Sequence, residues 1–331
     1  MAPINIALLG LGNVGQAFAR YLLGAEQTTR QVIRAVIDSS GGLIVSDAAQ
    51  VDRLLRHKSA GQSLAEFSRA SVSPVTEVID KLAAAGVSVL VESLPTNIDN
   101  GLPALDLILE ALRRGINVVT VDKGPPVHGF DQLQQAAREG HARFGFTGTT
   151  GVAIPDELEG ERVIEIRGVL NGTTNFILSA MQQDNLTFAE ALSLAQSQGI
   201  AEPDPTLDVE GWDSACKILI LARSLMGARA ALADVSRIGI GAEIESLIQT
   251  ARETDRVVKL MSRARFWQGR VRVSVAPKLV GRESPFYSVA GTSKAAVFTT
   301  ESGRDVVEHG HSGRDAISEI ILSDVLKVCR V

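Results

Sequence analysis

The chain is poor in cysteine, in aromatic residues and in excess charge of either sign. Only Cys216 and Cys329 occur in 331 residues, with no CxxC pair and no Cys/His spacing suited to zinc. A zinc module is not expected, and although two cysteines could form one bridge, a reducing compartment is the simpler reading. The formal net charge of −5 leaves no basic footprint, which argues against nucleic acid or an anionic membrane surface as a partner. No uncharged apolar run reaches the ~18 residues that a membrane span needs. The first residues, Met1-Ala2-Pro3-Ile4-Asn5-Ile6, run straight into an apolar strand without the basic region and cleavage site of a leader. A cytoplasmic location is expected. No internal repeat, low-complexity tract or long linker is visible.

Hydrophobic residues make up 45% and charged residues 21%, the balance of a globular protein with a sizeable core. The length suits about two domains. Through the first half, short β-branched runs at 4–9, 32–37, 87–91, 117–121 and 143–146 alternate with helical stretches at 13–23, 103–114 and 131–140. A more polar stretch, 46–73, reads as loop and helix laid over the surface. Such alternation implies parallel strands with right-handed crossovers, hence a doubly wound α/β sheet of Rossmann type. After about residue 150 the order becomes mixed. Strands are expected at 163–170, 271–275 and 295–299, and helices at 175–183, 187–198, 212–226, 242–264 and 312–328. That mixture suits an α+β domain on its own sheet. The boundaries expected are 1–147 for a dinucleotide-binding domain, 148–305 for a substrate domain and 306–331 for a C-terminal segment.

Gly10-Leu11-Gly12-Asn13-Val14-Gly15 lies directly between an apolar strand and a helix. In that context Gly10 permits a tight turn, Gly12 lets backbone approach a pyrophosphate and Gly15 allows close helix–strand packing. The helix start, with Asn13 and Val14, offers unpaired N–H groups and a partial positive charge to phosphates. Asp38 ends the second strand, where a carboxylate binds adenosine ribose hydroxyls and repels a 2′-phosphate. That favours NAD. The following Ser39-Ser40-Gly41-Gly42 suits a phosphate, so NADP stays open.

One stretch is dense in acid: Glu202-Pro203-Asp204-Pro205-Thr206-Leu207-Asp208-Val209-Glu210-Gly211-Trp212-Asp213, followed by Lys217. The prolines disfavour helix through 205, which puts Glu202, Asp204 and Asp208 on a loop. Helix is expected from near Gly211, so Asp213 and Lys217 stand at i and i+4 on one face. A pair of this kind is ordinarily a surface salt bridge worth a few tenths of a kcal/mol, but the apolar run after Lys217 carries this one at the start of a core helix. Lys123 lies just past the carboxyl end of a parallel strand, the edge at which open α/β sheets bind ligands, and Ser93 lies past the end of another. Asn171-Gly172-Thr173-Thr174-Asn175 joins a strand to a helix. Its hydroxyls and amides suit an N-cap and equally a carboxylate or carbonyl oxygen.

Four elements resemble homoserine dehydrogenases, across nearly the whole chain: GLGNVG at 10–15, DKGPP at 122–126, LNGTTNFIL at 170–178 and AEPDPTLDVEGWDSACK at 201–217. The resemblance implies NAD(P)-dependent interconversion of L-homoserine and L-aspartate 4-semialdehyde. Lys217 would transfer the proton, with Asp213 as its partner. Glu202, Asp208 and Asp213 would meet the amino-acid end of the substrate, and Thr173 and Gly172 would contact it. Lys123 would be a second active-site lysine, and both ammonium groups should converge at the rim of the nucleotide-binding sheet. Ser93, Gly199 and Gly313 would approach the cofactor. The resemblance further implies a homodimer formed through the second sheet, and a C-terminal helix packed back on the first domain. An unperturbed lysine is protonated at neutral pH, the form needed to reduce the aldehyde. Oxidation of homoserine is therefore expected to be favoured at alkaline pH.

Departures from the family pattern are equally informative. Relatives usually carry, after the last Rossmann strand, a glutamate that helps bind a monovalent cation. Here the segment reads Phe146-Thr147-Gly148-Thr149-Thr150-Gly151-Val152-Ala153-Ile154-Pro155, with Thr147 in the glutamate's place. The carbonyls of Thr150, Val152 and Ile154 remain available, but no metal ligand is assigned. Gly310-His311-Ser312-Gly313 replaces a run of mostly glycine and alanine. The length leaves no room for an attached kinase or regulatory domain, so threonine feedback through one is not expected. The alternatives are a reductase of another amino-acid-derived carbonyl and a nucleotide-binding sensor without chemistry. A semialdehyde dehydrogenase is disfavoured, because Cys216 points about 100° away from Lys217 around the helix.

Overall fold

A computed structural model describes residues 3–24, 31–67, 73, 75–310 and 313–330. The chain divides into two units, residues 1–149 with 313–331 and residues 150–312.

In the first unit, β1 (Ile4–Leu9) leads through a tight turn into α1 (Asn13–Gly24). Then come β2 (Gln31–Asp38), β3 (Gly41–Ile44), α2 (Ala48–Ser59), α3 (Leu64–Phe67) and α4 (Val75–Ala84). β4 (Val89–Glu92), α5 (Ala104–Arg113), β5 (Asn117–Thr120), α6 (Gly124–Glu139) and β6 (Phe144–Gly145) follow. The strand order is β3-β2-β1-β4-β5-β6, all parallel except β3, which folds back antiparallel on β2. Strands covered on both faces read as continuous apolar runs, and β1 shows why. Ile6 and Leu8 face one layer with Phe18, Leu54 and Leu55. Ala7 and Leu9 face the other, with Ile79, Leu82, Ile108, Leu112 and Leu133. The strand order reverses between β1 and β4, the position at which doubly wound sheets bind ligands.

The second unit opens with β7 (Val163–Val169), α7 (Gly172–Gln183), α8 (Phe188–Ser197), α9 (Thr206–Val209) and α10 (Trp212–Met226). It continues through β8 (Ser236–Arg237), α11 (Ile244–Glu253), β9 (Val257–Trp267), β10 (Arg270–Val280), β11 (Lys294–Thr300) and β12 (Asp305–Gly310). Its sheet runs β12-β11-β7-β9-β10-β8. α10 lies on this sheet with Ile218, Leu219, Leu221 and Ala222 fully buried. The last helix, α12 (Arg314–Val328), belongs to the first unit and sets Ile321 and Val325 against Ile6, Leu8 and Phe18.

Several elements differ from the sequence reading. The helix expected over 242–264 stops at Glu253. Asp255 takes a left-handed conformation (φ 50°), and from Val257 the chain is a strand, with Val258, Leu260, Ser262 and Ala264 buried and Lys259 buried between the first two. Asp208 sits in the short helix α9 rather than on open loop, because Pro205 serves as its N-cap. α7 begins at Gly172 rather than 175, and α6 begins at Gly124, with Pro125 and Pro126 in its first turn and a kink at Gly129, where proline costs nothing. Residues 305–310 form β12 and remain in the second sheet, so the chain returns to the first unit only at Gly313. His311 and Ser312, in the altered glycine turn, lie outside the described residues, as do 68–72 of the polar stretch. No helix among the described residues is long and apolar enough to cross a membrane.

Candidate active site

The turn after β1 is built for a close approach. Gly10 has φ +100°, and a Cβ on it would fall 2.6 Å from the Ser93 carbonyl oxygen. One on Gly15 would overlap the Gly10 carbonyl, while Gly12 faces open space. Its N–H groups begin α1, with Asn13 and Val14 in the first turn. Ser93 follows β4, and its hydroxyl donates to the Gly10 carbonyl at 3.1 Å, locking the two strand ends together. These features fit a dinucleotide's pyrophosphate. Gly313, at φ +146°, is the N-cap of α12.

Asp38 departs from the simple ribose-binding expectation. Its Oδ1 accepts from the N–H and hydroxyl of Ser40 (2.8 and 2.6 Å), and its Oδ2 from Lys58 Nζ (2.7 Å) and the Leu64 N–H (3.2 Å). Burial acts to raise its pKa, but Lys58 and Ser40 outweigh that and hold it below the usual carboxylate range. The negative charge that would repel a 2′-phosphate is thus paired with an ammonium.

At the ends of β4 and β5, two buried carboxylates face each other across the strands. Glu92 accepts from the Thr120 hydroxyl and from the Leu94 N–H. Burial, reinforced by the charge of Asp122, pushes it up to about 8. Asp122 is raised too, chiefly by burial, although it accepts from the Gly124 N–H at 2.8 Å. Lys123, half-buried, is the N-cap residue of α6 directly after this pair. The sequence reading named Lys123 but missed Glu92, whose only signal was an acid inside an apolar strand.

The second unit gathers the other candidates around Lys217. Its Nζ lies 2.6 Å from Asp213 Oδ2 and donates to the Leu170 carbonyl at 2.9 Å. Both side chains are 12% exposed, so this is a desolvated pair and not a solvated surface bridge. Asn171 organises the acids: one amide nitrogen donates to Asp208 Oδ1 (2.6 Å) and Asp213 Oδ2 (2.8 Å). Its oxygen meanwhile caps α7 through the Thr174 N–H at 2.7 Å. Burial raises the pKa of Asp208, and the nearby Asp213 charge adds to that, against lowering by Asn171, Lys217 and Thr173. Gly172 opens α7 beside them, and the Thr173 hydroxyl donates to the Ile200 carbonyl at 3.2 Å. Asn175, at the far end of the same turn, points elsewhere and holds the Gly291 and Ser293 carbonyls at 3.0 Å.

Two candidates stand apart. Glu202 is exposed, with no hydrogen bond from its carboxylate among the described residues. Gly199 ends the turn after α8 at φ +68° with open space beyond it. Asp204 is spent on its own turn, accepting from Thr206. Asn171 was missed as an individual residue because its part depends on side chains 37 and 42 positions later. Among the described residues no group of three or more His, Cys, Asp or Glu is placed to hold a metal.

In the first unit the glycine turn is shaped for a pyrophosphate, and in the second a lysine paired with a buried carboxylate suits proton transfer. Comparison with known proteins agrees. The homoserine dehydrogenase family model matches residues 152–326, and the homoserine dehydrogenase NAD-binding domain matches residues 10–147. An NAD(+)-dependent homoserine dehydrogenase of Pseudomonas canavaninivorans is 34% identical, covering 99% of this chain and 97% of its own length. A homoserine dehydrogenase of Methanocaldococcus jannaschii is 31% identical over 98% of both chains. A hyperthermophilic archaeal homoserine dehydrogenase solved in complex with NADPH superposes with a TM-score of 0.78 at 25% identity, covering 98% of this chain and 97% of that one. This chain belongs to the homoserine dehydrogenase family, NAD(P)-dependent oxidoreductases acting on a CH–OH group.

Proposed function

We propose that the protein interconverts L-homoserine and L-aspartate 4-semialdehyde with Lys217 as the proton-transfer residue. The carrying observation is the desolvated Lys217–Asp213 pair, tied through Asn171 to Asp208. The glycine turn would hold NAD(P)+, which when bound would supply the hydride acceptor for the hydroxyl-bearing carbon of homoserine. Lys217 removes the hydroxyl proton in that direction and returns it to the growing alkoxide in the other. Asp213 orients the lysine. Asp208 and Glu202 pair with the substrate ammonium, and Thr173 and the Gly172 backbone contact its polar end. Lys123 is assigned as a second cation for the same hydroxyl. Gly10, Gly12, Asn13, Val14, Gly15 and Ser93 would hold the pyrophosphate and nicotinamide portions, with Gly199 and Gly313 against the cofactor and Asp38 near the ribose. We further infer a cytoplasmic homodimer joined through the second sheet, whose strands expose Trp267 and Val307. Elution as a monomer at micromolar concentration would end that part.

The test is a purified-protein assay with homoserine and either cofactor, in both directions, alongside Lys217→Ala. The variant should lose about 10²–10⁴-fold in kcat, the usual worth of a positioned acid–base group, with cofactor affinity unchanged. Oxidation should accelerate with pH, and a profile flat from about 7 to 10 contradicts a lysine base. Nucleotide binding without turnover on homoserine, the semialdehyde or related carbonyls would leave a sensor instead.

A further inference from the structure

The segment joining the last Rossmann strand to the second unit is where the family resemblance implies a monovalent cation, and the residues here do not fit that ion. Thr147, in the glutamate's place, is already committed: its N–H donates to Asp324 Oδ2 at 2.9 Å and its hydroxyl to Asp324 Oδ1. Downstream, the fully buried Thr150 donates its hydroxyl to the Val152 carbonyl at 2.8 Å, one of the three carbonyls that a cation would use. A positive charge is present all the same. Lys294, only 7% exposed, is the first residue of β11, paired with Gly310 of β12. Its side chain runs to Gly151, where the position of a Cβ would lie 2.6 Å from Nζ and 3.5 Å from Cδ and Cε. Gly151 has φ +68° and no side chain, so the same residue makes the turn and the room for the lysine. The preceding residue, Ser293, is pinned by Asn175 through its carbonyl, which fixes where Lys294 starts.

We propose that the Lys294 ammonium stands permanently where the family resemblance implies a monovalent cation, so that this protein needs neither Na+ nor K+. An ammonium and a monovalent metal ion carry the same charge. The ammonium's three N–H donors address backbone carbonyls as the ion does, and a buried charge persists only where such groups meet it. Thr147, closed onto Asp324, offers no carboxylate to a metal ion. Lys294 is thus a positioning residue: it holds the 150–154 turn and touches no reacting atom.

The proposal is tested by measuring turnover and melting temperature in choline, Na+ and K+ salts at constant ionic strength, for the natural protein, Lys294→Ala and Lys294→Met. The natural protein should keep its kcat/KM within about twofold across the salts, and its melting temperature should not respond to K+. Lys294→Ala opens a hole of one ammonium and its stem. Its activity in choline should fall about 10–100-fold, as when support around a bound ion is lost. K+ or NH4+ should restore much of that saturably and raise the melting temperature, because an ion that binds the folded state stabilises it. Lys294→Met fills the hole without charge and should not be rescued. Strong activation of the natural protein by Na+ or K+ overturns the proposal, as does a Lys294→Ala protein whose melting temperature ignores every cation. The melting readout is independent of catalysis, so it separates this result from failure of the homoserine assignment.

Discussion

Asp38 meets four donors from its own chain before any cofactor arrives, and Lys58 is the one that carries charge. Removing it should unmask the carboxylate and free one oxygen for a ribose hydroxyl. In Lys58→Ala the ratio of kcat/KM for NAD over NADP should rise about 5–20-fold, the equivalent of about 1–2 kcal/mol of charge–charge repulsion at a partly buried site. An unchanged ratio measured with both cofactors would show that Asp38 takes no part in the choice. Two residues of the second unit's cluster, Lys217 and Asn171, differ in how legible they were. Lys217 could be picked from spacing, since an acid four residues earlier at the head of an apolar helix can only face it, and the structure closes that pair to 2.6 Å. Asn171 could not, because an amide that caps one helix while bridging two acids is defined by the return of α9 and α10 in space. Glu202 shows the converse. Its motif neighbours are gathered around Lys217, while its own side chain is exposed.

Strand ends and strand alternation set the behaviour at the scale of elements. β4 ends on Glu92 and β5 on Thr120, with Asp122 two residues beyond, and the parallel register sets Glu92 beside Thr120. Burial, with the charge of Asp122, pushes Glu92 from an ordinary 4.5 up to about 8 in the folded protein. Between those values the folded state holds a proton that the unfolded chain has released, so stability falls as pH rises through this window and levels off above it. Glu92→Gln keeps the side chain's shape and hydrogen-bonding reach, with the Thr120 hydroxyl turning to accept. The natural protein's melting temperature should drop by several degrees from pH 5 to 8, and the variant's drop should be clearly smaller. Parallel curves for the two proteins would show that Glu92 is not the group responsible. The alternation of short apolar strands with helices made the first sheet readable, because both of its faces are covered. β9 was not readable. No glycine or proline separates it from α11, and its opening residues Val257 to Met261 mix strand and helix formers. Only Asp255, in a conformation that few residues other than glycine adopt, marks the break. β12 escaped for a different reason. Its burial simply alternates between exposed and half-buried until Gly310, the weak signature of an edge strand.

The whole molecule is one unit placed inside the other along the chain. α12 supplies Ile321, Val325 and Val328 to the core begun by β1 and α1. Ile321→Ala should therefore destabilise by about 2–5 kcal/mol in urea denaturation, the range for emptying a buried aliphatic site. A loss under about 1 kcal/mol would mean that α12 rests on the first unit without completing it. During synthesis the ribosome makes Ile6, Leu8 and Phe18 first and Ile321 some three hundred residues later. The nucleotide-binding half must therefore wait, with part of one face of its sheet uncovered, while the other half is translated. A nascent chain of this kind is exposed to misassembly for most of its translation, and chaperone demand should track the helix that arrives last.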